Sequence, residues 1–180
     1  MIARGAEMEV EPRSVLFGPG RPFPPRPQIL RQLLNLYRAD LPYCRRILRS
    51  LVLSQMAGVG SGAFEPGFRC FYGNVHADGA SLADTKIVDY APVYIGKGTG
   101  FSFDNLLITS THGLPDFENV TAAEIIIGEN VWITSRVTIL GGVRIGRNSV
   151  IAAGSVVTCD IPPNVTAGGI PARVISDKHR

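Results

Sequence analysis

Three histidines, at positions 76, 112 and 179, are the side chains here whose ordinary titration range spans neutral pH. His179 lies in the terminal tail and is read as idle. His112 stands at the edge of His112-Gly-Leu-Pro-Asp-Phe-Glu-Asn-Val-Thr121, a stretch with the composition of a loop. An imidazole at a loop boundary, beside an aromatic neighbour, can take a proton near neutral pH. The plain alternative is a surface histidine with no role. The three cysteines, Cys44, Cys70 and Cys159, are an odd number without paired metal spacing. That pattern fits reduced thiols in a cytoplasmic setting.

What positions His112 is a repeat. From Ile127 the chain reads in sixes, opened by Ile127, Ile133, Ile139, Ile145, Ile151 and Val157, with Val131, Val137, Val143, Ser149, Ser155 and Ile161 in the fifth place. A period of six matches neither the 3.6 of a helix nor the two of a lone strand. It matches a three-sided coil of short parallel strands, each hexad one side, its first residue pointing into the axis and stacked turns burying an apolar column. A second run of sixes leads back from Leu107 to Phe101, Ile95, Asp89, Ala83 and Ala77. Between Leu107 and Ile127 lie 20 residues where 18 would keep the phase, so a loop at about 113–123 is expected to be ejected beside His112. The same register predicts His76, Tyr94, His112 and Trp132 as a column on one edge, about 4.8 Å per rung.

The remaining composition fits such a body. Gly (20) and Pro (13) among 180 residues suit a chain that turns a corner every few residues. The net charge of +3 is uneven, with nine Arg against four acids in residues 1–49 and nine bases against eleven acids beyond. This is no nucleic-acid footprint. No signal-peptide core or long apolar run is present, so neither secretion by that route nor a membrane span is expected.

Residues 1–27 read as a flexible Arg- and Pro-rich arm, with a PxxP-type docking site as the alternative. Residues 28–56 read as a helical cap of two helices, 28–39 and 42–56. In the second, Cys44, Ile47, Leu48, Leu51 and Val52 share a face, which packs over the open end of the coil or else lies on a membrane surface. The coil itself spans 57–162. Asp160-Ile-Pro-Pro-Asn164 closes it, and 163–180 forms a C-terminal tail.

Several segments carry a resemblance: Phe68-Arg-Cys-Phe-Tyr-Gly73, Ile87-Val-Asp-Tyr-Ala-Pro-Val-Tyr-Ile-Gly96, Ile108-Thr-Ser-Thr-His-Gly113, Ile126-Ile-Gly-Glu-Asn-Val-Trp-Ile133, Ile151-Ala-Ala-Gly-Ser-Val-Val-Thr158 and Gly168-Gly-Ile-Pro-Ala-Arg-Val-Ile175. Across about 64–175 the chain resembles the hexapeptide-repeat acyltransferases, within them the maltose, galactoside and nodulation-factor O-acetyltransferases. The resemblance implies an all-β fold, a left-handed parallel β-helix working as a homotrimer, with acetyl-CoA between adjacent prisms and no metal. The family's catalytic histidine falls on His112. Its CoA contacts fall on Ser135, Ala153, Thr158, Cys159 and Arg173, with Trp132 beside them and backbone N–H groups near Ser135 as candidate oxyanion donors. Asp84, Asp89 and Tyr90 are the residues placed to meet a small-molecule or saccharide acceptor; for Asp89, a corner carboxylate capping backbone N–H groups is the equal alternative.

There are departures from the family pattern. Cys159 replaces a usual Lys, Thr134 a usual Gly, Phe71 a usual Asp, and Leu82-Ala83-Asp84 the Asn-x-Asn that faces the sugar; the loop after His112 is also shorter. These weaken the expectation of a sugar more than that of the acyl donor. Two other readings compete. A non-catalytic assembly prism would not need His112 or its loop. A carbonic-anhydrase-like metal site, which this fold also carries, would have to join His76 and His112. They are 36 residues and two turns apart, about 9.6 Å along the axis, so only two chains together could do so.

Overall fold

The computed structural model describes residues 15–17, 29, 32–33, 47–48, 51–52, 63–64, 67–77, 79–113 and 117–177. In chain order its strands are β1 (Val15–Phe17), β2 (Ala63–Phe64), β3 (Arg69–Cys70), β4 (Val75–Ala77), β5 (Ser81–Leu82), β6 (Thr85–Val88), β7 (Val93–Ile95), β8 (Gly100–Phe101), β9 (Asn105–Ile108) and β10 (Ser110–His112). They continue with β11 (Val120–Ala122), β12 (Ile125–Ile127), β13 (Trp132–Ile133), β14 (Thr138–Leu140), β15 (Arg144–Ile145), β16 (Val150–Ile151), β17 (Val156–Val157), β18 (Val165–Gly169) and β19 (Ala172–Asp177).

Four sheets result, and three of them form a coil, each taking one strand per turn. The first face stacks β4, β7, β12 and β15; the second stacks β2, β5, β8, β13, β16 and β18; the third stacks β3, β6, β9, β14 and β17. All these pairings are parallel. The chain is therefore a parallel β-helix. Its axis is filled by three apolar columns: Ala77, Ile95, Ile127 and Ile145; Leu82, Phe101, Ile133, Ile151 and Ala167; Cys70, Ile87, Leu107, Ile139 and Val157. Every one of these side chains is buried.

Each corner needs partners for the backbone groups the strands leave over. Buried hydroxyls and one amide supply them. Thr99 Oγ1 donates to Gly128 O and accepts from Val131 N, at 2.7 and 3.0 Å. Asn105 Nδ2 donates to Ser102 O and its Oδ1 accepts from Val137 N, at 2.8 and 2.9 Å. Ser149, at a fifth place of the repeat, donates to Pro162 O and accepts from Val165 N. Another corner runs on asparagines in the left-handed region, Asn130, Asn148 and Asn164, with φ of 54, 58 and 61°. Asn tolerates that conformation, and the Nδ2 of Asn148 reaches Asn164 Oδ1 at 3.0 Å.

The backward count by sixes needs correcting in two places. Leu82, not Ala83, lies in register beneath Phe101, and Ile87, not Asp89, pairs with Leu107. The corner between β6 and β7 holds extra residues, which moves Asp89 off the axis. The coil also runs past Asp160: Ile161 bridges to Ile145, and β18 stacks on β16 before β19 returns antiparallel.

Within the expected N-terminal arm, Val15–Phe17 forms a strand, consistent with a Val-Leu-Phe run of high β-propensity. Of the expected cap, residues 29, 32, 33, 47, 48, 51 and 52 are helical; the rest lies outside the described residues. Leu48 and Val52 join the main core, with Leu33 packed against it. Ile47 and Leu51 are 64% and 44% exposed, so the buried stripe is narrower than the sequence face suggested. Among the described residues no helix is long and apolar enough to cross a membrane.

Candidate active site

The interruption of the coil is a hairpin. After β9 the chain leaves the edge between the third and first faces, runs out as β10, returns as β11 and rejoins the first face at β12. From Ile95 to Leu107 and from Ile127 to Val157 consecutive faces are six residues apart, whereas Leu107 and Ile127 are separated by 20. The ejected segment is thus longer than the two-residue excess in phase implied.

Its base is fixed by Thr109. The Thr109 hydroxyl donates to Val88 O and accepts from Ala91 N, at 2.8 and 3.0 Å, while Thr109 O accepts from Ala123 N at 2.7 Å. The turn Gly141–Gly142 lies directly above, so close that a Cβ on Gly141 would stand 2.6 Å from Thr109 O. Val120 and Ala122 of β11 are buried against Ala91 and Tyr90.

His112 closes β10. Its side chain is exposed, with the ring edge-on to Phe117 at 5.9 Å. Nδ1 lies 2.9 Å from Phe117 O. A carbonyl only accepts, so Nδ1 carries the proton, and in the neutral ring Nε2 is the nitrogen with a free lone pair. Phe117 was not among the residues singled out in the sequence. Its part is played by a backbone carbonyl, which no residue type reveals.

The predicted four-rung column is only half present. His76 stacks on Tyr94 with ring centroids 4.8 Å apart, but the next rungs are Ile126 and Arg144. His112 is carried away on the hairpin, and Trp132 belongs to the second face, between Gly100 and Val150. Among the described residues no group of three or more His, Cys, Asp or Glu is placed to hold a metal ion.

The other expected residues fall on two edges. Between the second and third faces, Ser135 bonds Ser102 through their hydroxyls at 2.8 Å, and Ser135 O accepts from Gly154 N at 3.0 Å, which sets Ala153 in the corner above. Trp132 projects nearby, 47% exposed. Asp84 occupies a lower corner of this same edge, its carbonyl accepting from Asn105 N at 3.2 Å. The second edge, from which the His112 hairpin springs, carries Thr158 and Cys159 higher up, both exposed. Arg173 on β19 donates through Nη1 to Cys159 Sγ at 3.4 Å and to Ala172 O at 2.8 Å.

Asp89 is buried, and its carboxylate accepts three backbone N–H groups: Phe71 and Tyr72 on Oδ1 at 2.6 and 3.0 Å, Asn74 on Oδ2 at 2.7 Å. That is the corner-capping alternative. Within this chain Asp89 holds the 71–74 turn and does not face solvent. Tyr90, next to it, packs its ring on Tyr72 at 5.1 Å under the hairpin.

A coil of six-residue repeats has known counterparts. Residues 124–159 match the family model for the bacterial transferase hexapeptide (six repeats). The galactoside O-acetyltransferase of Escherichia coli (strain K12) is 42% identical over 144 residues, 72% of this chain and 70% of that protein. The chain belongs to the hexapeptide-repeat acetyltransferases.

Solved structures agree. The maltose O-acetyltransferase from Clostridium difficile 630 superposes with a TM-score of 0.78 at 31% identity, covering 85% of this chain and 86% of its own. A hexapeptide-repeat-containing acetyltransferase from Vibrio cholerae, complexed with acetyl coenzyme A, does so with a TM-score of 0.72 at 25% identity, covering 85% and 89%. The acetyltransferase described here is similar to both along most of its length.

Proposed function

We propose that this acetyltransferase moves the acetyl group of acetyl-CoA onto a sugar hydroxyl, with His112 as general base, in a groove between two subunits of a homotrimer. The observation that carries the proposal is the hydrogen bond from His112 Nδ1–H to Phe117 O at 2.9 Å. It fixes the ring and leaves Nε2 as the acceptor for the proton of an attacking hydroxyl. The named activities of the relatives supply the reaction class, and the acetyl-CoA complex of the Vibrio structure supplies the donor.

The chemistry asks little more of the protein. A thioester is already activated, so the acceptor oxygen attacks its carbonyl carbon directly while Nε2 takes the hydroxyl proton. Backbone N–H groups near Ser135 stabilise the oxyanion, and collapse expels the CoA thiolate, which recovers the proton from the imidazolium. The CoA arm follows Trp132, Ser135 and Ala153 on one edge and Thr158, Cys159 and Arg173 on the other, with the Arg173 guanidinium meeting a phosphate. Asp84 and Tyr90 face the acceptor, and Asp89 supports the turn beneath them.

The geometry of the edges supports the assembly proposed. In one chain, a whole face of the prism separates the Ser135 edge from the edge bearing His112. Packing the first edge of one subunit against the second edge of its neighbour unites them, and a three-sided body does this three times around a closed ring. The coil is assigned the left-handed sense of the family, against the usual right-handed rule for parallel crossovers, with the N-terminal helices capping its open end.

The test is release of CoA thiol from acetyl-CoA in the presence of a panel of sugar and amine acceptors. Sugar-dependent release that collapses in His112→Ala supports the proposal. Release supported by amines alone would overturn the acceptor, and release that survives His112→Ala would overturn the base.

A further inference from the structure

The hairpin that carries His112 has a third strand, and it comes from the far end of the sequence. β1 pairs antiparallel with β11, giving the order β1-β11-β10. Val15 faces Ala122, Leu16 faces Thr121 and Phe17 faces Val120; on the other side of β11, Ser110, Thr111 and His112 face Ala122, Thr121 and Val120. Phe17, Val120 and His112 therefore stand in one row across the sheet, although Phe17 and His112 are 95 positions apart in the chain.

We propose that β1 is a positioning strand for His112, holding the hairpin at the place where the imidazole works; this rests on the general-base reading above. The direction of the hydrogen bonds supports it. Gly113 N–H donates to Asn119 O at 3.4 Å. In an antiparallel ladder bonded and unbonded pairs alternate, so Thr111 and Thr121 form the next bonded pair, while Val120 and Ala122 turn their N–H and C=O groups to the other side. On that side is β1, and the bonded partners there are Phe17 and Val15.

β11 is consequently clamped from both flanks. The clamp at Val120 lies directly across from His112, three residues beyond the Phe117 carbonyl that orients its ring. Two strands of three residues form a marginal hairpin by themselves, and a third strand is the usual remedy. β1 contributes backbone and touches no reacting atom, so its part is placement.

The experiment uses the full-length enzyme with a proline at each of two adjacent positions. Phe17→Pro deletes an N–H that points at β11; Leu16→Pro deletes one that points away from it. Three readouts are compared with wild type: hydrogen exchange at the Val120 and Ala122 amides, kcat with KM for acetyl-CoA, and the thermal transition. Phe17→Pro is expected to speed exchange at both amides and to lower kcat by about 10- to 100-fold, the scale of a small misplacement of a catalytic group. KM for acetyl-CoA and the thermal transition stay at wild-type values, and Leu16→Pro matches wild type throughout.

Wild-type kcat in Phe17→Pro despite faster exchange would overturn the positioning role. Unchanged exchange would overturn the strand pairing. Equal loss in both proline variants, or a loss tracked by a lower thermal transition, would reduce β1 to a structural part. His112→Ala is assayed alongside: if it keeps full activity the general-base reading falls, whereas the exchange rates still judge β1.

Discussion

At the scale of single residues, the difference between His112 and Asp89 is one of access. Both have backbone partners, but His112 is exposed on the hairpin while Asp89 is buried with three N–H groups aimed at it. His112→Ala should therefore lower kcat by about 10²–10⁴-fold with little change in stability, the range for loss of a general base; steady-state kinetics beside a denaturation curve check both halves. Asp89→Ala should do the reverse. The change removes the acceptor of three part-buried N–H groups at roughly 1 kcal/mol each, so the variant should lose ~3 kcal/mol in chemical denaturation. A fully stable but inactive Asp89→Ala would return this residue to the acceptor site. The two described cysteines separate in the same way. Burial, reinforced by the nearby Asp89 charge, pushes the Cys70 thiol far above its usual range, whereas Cys159 is exposed next to the Arg173 guanidinium. Iodoacetamide should label Cys159 in the native protein and reach Cys70 only after unfolding, read by peptide mass spectrometry.

At the scale of elements, legibility followed periodicity. From Ile127 to Val157 each side of the coil repeats its own six-residue period, so the residue that opens a hexad points inward in the structure too. Below Ile95 the period breaks, because the β6–β7 corner is set by Asp89 and Thr109 rather than by an apolar repeat. The hairpin was visible as an interruption beside His112, but not as a hairpin. The 20-residue gap reads as a slip of two if the missing side is counted as a whole turn, and only strand pairing shows that Leu107 and Ile127 lie on successive faces. β1 was hidden for a related reason: three apolar residues in a Pro-rich stretch say nothing about a partner a hundred positions away. The element that ties hairpin to coil is Gly141, where an added Cβ would meet Thr109 O at 2.6 Å and Ala123 O at 3.1 Å, the backbone at both roots of the hairpin. Gly141→Ala should shift the hairpin and lower kcat, while Gly113→Ala, whose Cβ meets nothing within 4 Å, should stay near wild type. Comparing kcat of the two variants checks this; equal rates would mean the hairpin is held without that close contact.

At the scale of the whole molecule, the proposed mechanism makes catalysis depend on assembly. The hairpin with His112, Thr158 and Cys159 belong to one edge; Ser102, Ser135 and the corner of Ala153 belong to another, a face away. On that reading, neither edge alone brings the proposed base and the proposed oxyanion donor to one carbonyl. If the groove is completed by a neighbour, two inactive variants should repair each other. His112→Ala removes the base but leaves its Ser135 edge intact; Ser135→Phe blocks that edge but keeps His112. In a ring of three assembled at random from equal amounts, roughly a quarter of the grooves would pair an intact edge of each kind. Unfolding and refolding the two variants together should thus recover on the order of a quarter of wild-type activity, while each refolded alone stays inactive. Recovery on mixing can arise only if one groove draws its parts from two chains. A mixture as inactive as its components would place the whole site within one chain, and would require the hairpin to fold back across the third face to reach Ser135.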